Sequence, residues 1–551
     1  MVDFARQEQA QAWFERQQER LTVPAAASEP RMPRVVTLDL DRQGPVTVHG
    51  QYDAASTNEF TAAYWRRADQ LSADAALDPT VRQIIRSRAR FECVENDSVL
   101  NGIVNQLAID LVGRGPRPQI RFARSAEVPD DEDEDVEAAK KRRRRERIAA
   151  QKIQKAWKRW AKKIKLARKL KTARIAKAVD GELFLRKVLN RKLDDGRPAV
   201  LLDLVGIEAD QIANPNEDPS DQNAMDGLRW DEYGNVTTFY VLRQHPGGKA
   251  YSGEEPEPVP ARQMFHLFRD QRPGQHRGVS EIAPALPEAA LLRDYKIAVL
   301  HAARTAAKHT AVIETNSAEI EDDILPFSEE RLEHDTCTAL PKGYKLSQLK
   351  AEQPTTTFPQ FYHTIVNTIA RCVLMPFNIA IGNSSTYNYA SGRLDYQSYD
   401  LAIREERGQW EDEILDPLFE DWLHEASLAG VIDQDILLED IEVSWMWDSR
   451  AHVDPSKESN SNETDIADGT NHRRAVYDAQ GRDLDTEDDV AAADMDMSVA
   501  QYRRWLADNI AKKSGTRQDS ADLQDEDDAP ASRNDEAPAA ARRKRQPAGA
   551  T

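Results

Sequence analysis

Apolar positions recur along this chain with two different periods, and the switches between them mark its organisation. Residues 81–113, VRQIIRSRARFECVENDSVLNGIVNQLAIDLVG, mix apolar and polar positions at helical spacing, and Gly113 and Gly115 then offer a stop. With Phe60, Tyr64 and Trp65 as earlier anchors, this makes 55–122 a mostly helical packed region. Ile153, Trp157, Trp160 and Ile164 recur at spacings of four, three and four, a bulky stripe on one helix face. Between 181 and 270 the texture changes to short strands and turns. ELFLRKVL, AVLLDLVGI, VTTFYVLR after a YGN turn, and MFHLF at 264–268 are the strand candidates. This region reads as an α+β insertion, not a dinucleotide-binding unit.

Helical spacing resumes near Ser280, where Ser280 and Glu281 suit a helix start. Ala298, Ala302 and Ala306 place small residues on one face of the segment 286–310. Phe358, Phe361, Ile365, Ile369 and Cys372 mark another amphipathic helix, stopped at Met375-Pro376. The polar, turn-rich stretch 383–392, NSSTYNYASG, then leads into a helical tract over 393–428. That tract carries Trp410, Ile414, Leu418 and Trp422 on one face, and Pro417 is expected to kink or divide it. Trp445, Trp447, Tyr477, Tyr502 and Trp505 anchor 440–510. Beyond 513, acidic and Ala/Pro-rich sequence holds too few large apolar residues for a core and is expected to be disordered.

Charge changes the picture in one place. Residues 127–137 contain eight carboxylates, and 140–177 contain 19 Lys or Arg and one Glu. The apolar stripe makes that basic block a long surface helix packed through Trp157 and Trp160. Lys155, Lys158, Arg159, Lys162 and Lys163 remain for contact with an acidic neighbour or with DNA phosphate. A calmodulin-target or membrane-surface helix is the lesser reading of the same residues. The whole chain carries a formal charge of -20, which argues against a protein that wraps phosphate over its entire surface but suits a conduit that does not grip its cargo. Three cysteines, Cys93, Cys337 and Cys372, are too few and too far apart for a disulfide framework or a compact metal site. The first twenty residues lack the apolar run of a secretory signal, and no stretch of eighteen apolar residues suggests membrane insertion.

Sequence motifs for catalysis are weak. GNSST lacks the length and lysine of a phosphate loop, and His424-Glu425 lacks the second histidine of a zinc-protease helix. Asp180, Glu182, Glu208, Asp210 and Asp454 offer carboxylates for magnesium only if the fold gathers them. Neither a catalytic residue nor a cofactor is therefore assigned. Two stretches carry more information. RDQRPGQHRGVSEI at 269–282 sets Arg269, Arg272 and Arg277 around a Pro-Gly turn, where they suit carboxylates or DNA, or an internal Arg-carboxylate bond at a rigid strand-to-helix junction. MPFNIAIGNSSTYNYASGR at 375–393 reads locally as a capped interhelical loop.

Those two stretches, with RARFECVENDSVLNGIVNQLAIDLVGRG (88–115), DGELF (180–184), IEADQI (207–212), DGLRWDEYGNVTTFYVL (226–242), VPARQMFHLF (259–268), LPKGYK (340–345) and WMWDSRAHVDPSKE (445–458), resemble the lambda-like family of phage portal proteins over about 85–510. The resemblance implies an α+β portal fold with mainly helical wing, stem and crown and a small β-containing clip. It implies a structural protein, not an enzyme, forming a homo-oligomeric ring of twelve subunits at one capsid vertex for passage of viral double-stranded DNA. Implied partners are a terminase ATPase, the major capsid or scaffold protein, and head-completion adaptor and tail proteins. The expected division is an arm at 1–54, wing at 55–180 with the charged insertion, clip and adjoining β region at 181–278 and stem helix at 279–315. Wing and tunnel loop at 316–430, crown at 431–512 and a tail at 513–551 follow. Arg269, Arg272, Gln275, Arg277 and Gly278 fall at the implied clip-to-stem junction. Asn383, Ser384, Ser385, Asn388, Tyr389 and Arg393 fall at the implied tunnel loop or lumen. The sequence departs from the family in lacking an acidic residue ahead of the Asn-Tyr pair and in having Gly392 where alanine is common. A non-portal nucleic-acid-binding scaffold and a magnesium-dependent phosphodiesterase are the rival readings.

Overall fold

The computed structural model describes residues 37–38, 46–47, 71–122, 136–215, 224–249, 251, 253–308, 312–315, 344–347, 357–385, 387–432, 441–448 and 455–510. Phe60, Tyr64, Trp65, the acidic run 127–135, Cys337, Asp454 and the tail 513–551 lie outside these residues, as does most of the arm. The chain divides into a unit Met1–Ser72, in which Thr37–Leu38 pairs antiparallel with Val46–Thr47, and a unit Ala73–Thr551. The rest of the description concerns the second unit.

After a single helical turn at Ala73–Ala76, its first longer helix, α1 (Pro79–Arg90), begins where the Asp78 carboxylate accepts from the Thr80 amide at 2.8 Å and proline takes the first helical position. A π turn, Phe91–Asn96, leads to Asp97, which caps α2 (Ser98–Val112) by accepting from the amides of Val99 and Leu100. Leu100, Ile103, Val104, Leu107 and Leu111 bury one face of α2, which stops at Gly113 as expected. Strand β1 (Arg117–Phe122) follows, inside a stretch expected to be helical.

The basic block forms two helices, α3 (Val136–Lys163) and α4 (Leu166–Val179), separated at Lys165, whose φ of 58° breaks the helical path. The expected stripe on α3 is core. Ile153, Trp157, Trp160 and Ile164 are all buried, and the Trp157 ring lies 4.7 Å from Trp160, 5.1 Å from Trp422, 5.4 Å from Phe419 and 5.5 Å from Trp445. The expectation of one long surface helix needs correction for α4, whose Leu170, Ala173, Arg174, Lys177 and Ala178 are buried.

The four strand candidates are realised as β2 (Glu182–Leu189), β3 (Leu202–Ile207), β6 (Val236–Val241) and β8 (Met264–Phe268), joined by β4 (Ala224–Met225), β5 (Leu228–Trp230) and β7 (Glu257–Pro260). They make two antiparallel sheets, ordered β8-β2-β3 and β4-β5-β6-β7. Phe184, Ile212, Leu228, Phe239, Val259 and Met264 form a small core of their own, where alternate faces of the strands meet.

The helical half comprises α5 (Leu286–Lys308), α6 (Phe358–Arg371), α7 (Phe377–Ile381), α8 (Tyr389–Trp410) and α9 (Asp416–Leu428). A two-stranded pair, β9 (Val312–Thr315) and β10 (Tyr344–Ser347), lies between α5 and α6 in the sequence. The discontinuity expected at Pro417 falls just before it, as a π turn at Glu411–Leu415, so proline occupies the first turn of α9, where its missing N–H costs nothing. Strand β11 (Ile441–Met446) then pairs along its whole length with β1, Val443 opposite Ile120. This strand opens the region expected as a mainly helical crown, and α10 (Pro455–Ala467), α11 (Arg473–Ala479), α12 (Leu484–Asp494) and helical residues 499–510 complete it.

Candidate functional site

Arg82, Arg86 and Arg90 sit four residues apart on α1 and therefore share one face. Opposite them the fold gathers Asp180 and Glu182 at the start of β2, Asp210 from the helical turn Ala209–Gln211, and Asp226 from the turn between β4 and β5. Arg90 reaches Asp180 and Asp210, each at 2.7 Å, Arg86 reaches Asp210 at 2.8 Å, and Arg82 pairs with Asp226. Arg277 enters from the 269–282 turn and grips Glu182 with two bonds, Nη2 to Oε1 at 2.6 Å and Nε to Oε2 at 2.8 Å, while its Nη1 donates to the Asp226 carboxylate at 3.0 Å. Four guanidinium groups thus face four carboxylates. Both strand-rich sheets, α1 and the turn before α5 meet at this joint.

The backbone geometry that allows it depends on two glycines. Gly181, at φ +92°, and Gly278 pass so close that a Cβ on Gly278 would lie 2.2 Å from the Gly181 carbonyl oxygen. Burial by itself would raise the Glu182 carboxyl, but Arg277 and a hydrogen bond from His266 hold it well below the usual carboxylate range. His266, stacked on Phe184 at 4.3 Å, donates from Nε2 to Glu182 Oε2 at 3.2 Å, and burial keeps its pKa below the usual 6.5. Both shifts have the same sign: the unfolded chain binds more protons than the folded one, so stability is full at neutral pH and is lost on acidification. The His266 contribution fades as pH falls below 6.5, its ordinary value, and that of Glu182 below 4.5, its ordinary value. Melting temperatures between pH 7.5 and 5 are expected to fall, and His266→Gln, which keeps a donor for Glu182 but cannot titrate, should flatten the upper part of that fall. An identical slope in the variant would rule His266 out as the group responsible.

A second buried pairing corrects the expectation that Ser280 and Glu281 cap the following helix. A short 3₁₀ turn, Ala283–Ala285, intervenes before α5. Ser280 donates to the Ala178 carbonyl instead, and Glu281 faces Arg174 of α4 at 3.0 Å and Lys177 at 3.7 Å. Glu406 of α8 meets the same two cations, each at 2.9 Å. Downstream, α5 is tied to the first helices through Arg293–Glu92 at 3.0 Å and Lys296–Asp97 at 2.8 Å.

The structure separates the residues singled out at 269–278. Arg277 and Gly278 are buried in the joint, and Gln275 braces the turn by accepting from the Gln271 amide and donating to the Arg277 carbonyl. Arg269 and Arg272 are exposed. In the second stretch Asn383, Ser384, Ser385, Asn388 and Arg393 are exposed, Asn388 caps α8 by accepting from the Ser391 amide at 2.8 Å, and Tyr389 begins the helix. Lys155, Lys158, Arg159, Lys162 and Lys163 all lie on the exposed side of α3, Lys163 pairing with Asp195 at 3.4 Å. The sequence reading passed over Arg82, Arg86, Arg90, Asp226, His266 and Glu406, of which only the four-residue arginine spacing was a visible signal.

The carboxylates considered for magnesium, Asp180, Glu182, Glu208 and Asp210, do converge. Arginines already supply the positive charge there: Arg86 and Arg90 on Asp210, Arg90 on Asp180, Arg277 on Glu182. Glu208, Asp210 and His245 bring one potential ligand atom each within 4.8 Å of one another, and the same two arginines crowd that group. Among the described residues no helix is long and apolar enough to cross a membrane.

The family model for the phage portal protein, lambda family, matches residues 60–407, a span that takes in α1 to α5, both larger sheets, the 269–282 turn and the 383–393 loop. The chain belongs to the lambda family of phage portal proteins. As a portal protein it is a structural component of the capsid's portal vertex and not an enzyme, and its mostly helical fold with small antiparallel sheets is of the α+β kind expected. The portal match starts earlier and stops earlier than the span 85–510, so the Trp445 and Trp447 anchors lie beyond it. No curated protein sequence matches the chain. Similar solved structures include the neck of an empty gene transfer agent (GTA) particle computed with C6 symmetry, at 13% identity and TM-score 0.40 over 72% of this chain and 93% of the other. The neck of a native GTA particle computed with C12 symmetry shares 13% identity and a TM-score of 0.38 over 74% and 94%. The virion of a native GTA particle shares 12% and 0.36 over 72% and 93%.

Proposed function

We propose that this portal protein assembles into a closed ring of twelve subunits around an axial channel, through which viral double-stranded DNA is packaged, retained and ejected. The observation that carries this reading is the family match across 60–407. In it, 181–278 forms the clip and adjoining β region, 279–315 the stem, 316–430 wing and tunnel loop, and 431–512 the crown. A terminase ATPase docks at the clip and supplies the work; head-completion and tail proteins follow at the same end.

The geometry supports a division of labour between the two stretches singled out. Arg277 and Gly278 act inside each subunit, holding the clip-to-stem turn at a fixed angle through Glu182, while Arg269 on the same turn is exposed for contacts outside it. Asn383, Ser384, Ser385, Asn388 and Arg393 are accessible, as residues of a loop beside passing DNA must be, and repetition around a ring multiplies each weak contact. Electron microscopy of the purified protein tests the reading: channelled rings of about twelve subunits are expected for a family portal, and compact monomers across assembly conditions would overturn it.

A further inference from the structure

The portal reading leaves the basic side of α3 without a task. Counting the helical rotation per residue, Lys141, Arg145, Lys155, Arg159 and Lys162 fall within an arc of about 100° and form a row about 32 Å long. All five are exposed, and none of them forms an ion pair among the described residues. What sets them apart is their alignment on one helix face, since other exposed cations such as Arg269 and Arg393 also lack an ion pair among the described residues. Buried and part-buried cations are matched with carboxylates, as in Arg82, Arg86, Arg90 and Arg277 at the joint, Arg174 and Lys177 beneath α8, and Lys169 with Asp203. A chain of formal charge -20 had carboxylates to spare and placed none of those described against this row. The face cannot turn away, because Ile153, Trp157, Trp160 and Ile164 on its other side are locked in the core.

From this the structure assigns the exposed face of α3 as a docking surface for the phosphate backbone of duplex DNA, bound without regard to sequence. Lys155, Arg159 and Lys162 span about 10 Å and Lys141 and Arg145 lie about 15 Å further along, past the exposed Ile148, a spacing at which the two groups can meet the phosphate ridges on either side of a groove about 12 Å wide. No carboxylate or amide is interleaved among Lys155, Arg159 and Lys162 to read a base edge, which leaves charge as the means of recognition. The inference rests on the portal reading for its cargo, but adds a contact on a wing-side helix distinct from the 383–393 loop.

The test compares the full chain with Lys155→Gln/Arg159→Gln/Lys162→Gln, three exposed changes that keep helix propensity and are expected to leave the melting temperature unchanged. Binding of two unrelated 24-base-pair duplexes is followed by fluorescence anisotropy across a salt series, with a polyglutamate peptide as a second probe. The full chain should bind both duplexes equally. The triple variant should bind roughly tenfold to a hundredfold more weakly, with a slope of log affinity against log salt shallower by about 2–3, near 0.9 for each phosphate contact removed. An unchanged slope and affinity would overturn the assignment, as would a full chain that binds polyglutamate through this face and not DNA, the mark of an acidic protein partner. Rings seen by microscopy in a chain without DNA binding would sink only this inference, whereas failure to form rings would count against the portal reading itself.

Discussion

Arg277→Ala is expected to destabilise the fold by about 3–5 kcal/mol, because it strands a carboxylate that has nowhere to go. Arg277 is 2% exposed and Glu182 is 1% exposed. Removing the guanidinium takes away both bonds to Glu182 and one to Asp226, leaving Glu182 held by His266, which burial keeps neutral, by the Gly278 amide, and by the Arg86 guanidinium at 3.6 Å, which is already engaged with Asp210 at 2.8 Å. The cost is that of a buried charge left with only the more distant Arg86, rather than the net worth of the pair. Accordingly Arg277→Met/Glu182→Gln, which removes both charges and keeps the volume, should recover a large part of the loss. Urea unfolding at one protein concentration measures all three chains. A loss below about 1 kcal/mol for Arg277→Ala would show that water enters and replaces the guanidinium, and that the joint is not closed as described.

Trp157→Ala should cost a similar 3–5 kcal/mol, from lost transfer free energy and the cavity left among the other rings. Trp157 is 1% exposed and touches Trp160, Phe419, Trp422 and Trp445, so it ties α3 to α9 and β11 at once. Its neighbour Lys158, exposed on the same helix, provides the contrast: Lys158→Ala is expected to change stability by no more than about 0.5 kcal/mol. Unfolding midpoints of the two variants side by side decide whether α3 belongs to the core or rests loosely upon it. Equal and small effects would mean that the basic block is an appendage.

Along the chain, periodicity alone located the stripe on α3, the amphipathic faces of α2, α6 and α9, and four of the strands, because each is a local consequence of which side a residue faces. Turn residue types likewise marked the 269–282 turn and the 383–392 loop, although the helix after that loop begins at Tyr389, four residues before the expected 393, with Asn388 as its cap. The tertiary structure decided what the chain could not express locally. Strands β1 and β11 pair across more than three hundred residues; β11 alternates Ile441, Val443 and Trp445 with Glu442 and Ser444, but β1, RPQIRF, has no such pattern, and nothing local to either shows which strand it joins. Arg174 and Lys177 read as part of a solvated basic run until Glu281 and Glu406, distant in sequence, are brought to them. The same is true of Asp180, Glu182 and Asp210: as a list of carboxylates they suit a metal, and only their placement opposite one face of α1 makes them partners of arginines. Ion pairing depends on separation in space and on burial, and a linear sequence holds neither. Periodicity, by contrast, is written in the sequence because a helix or strand converts residue number directly into direction.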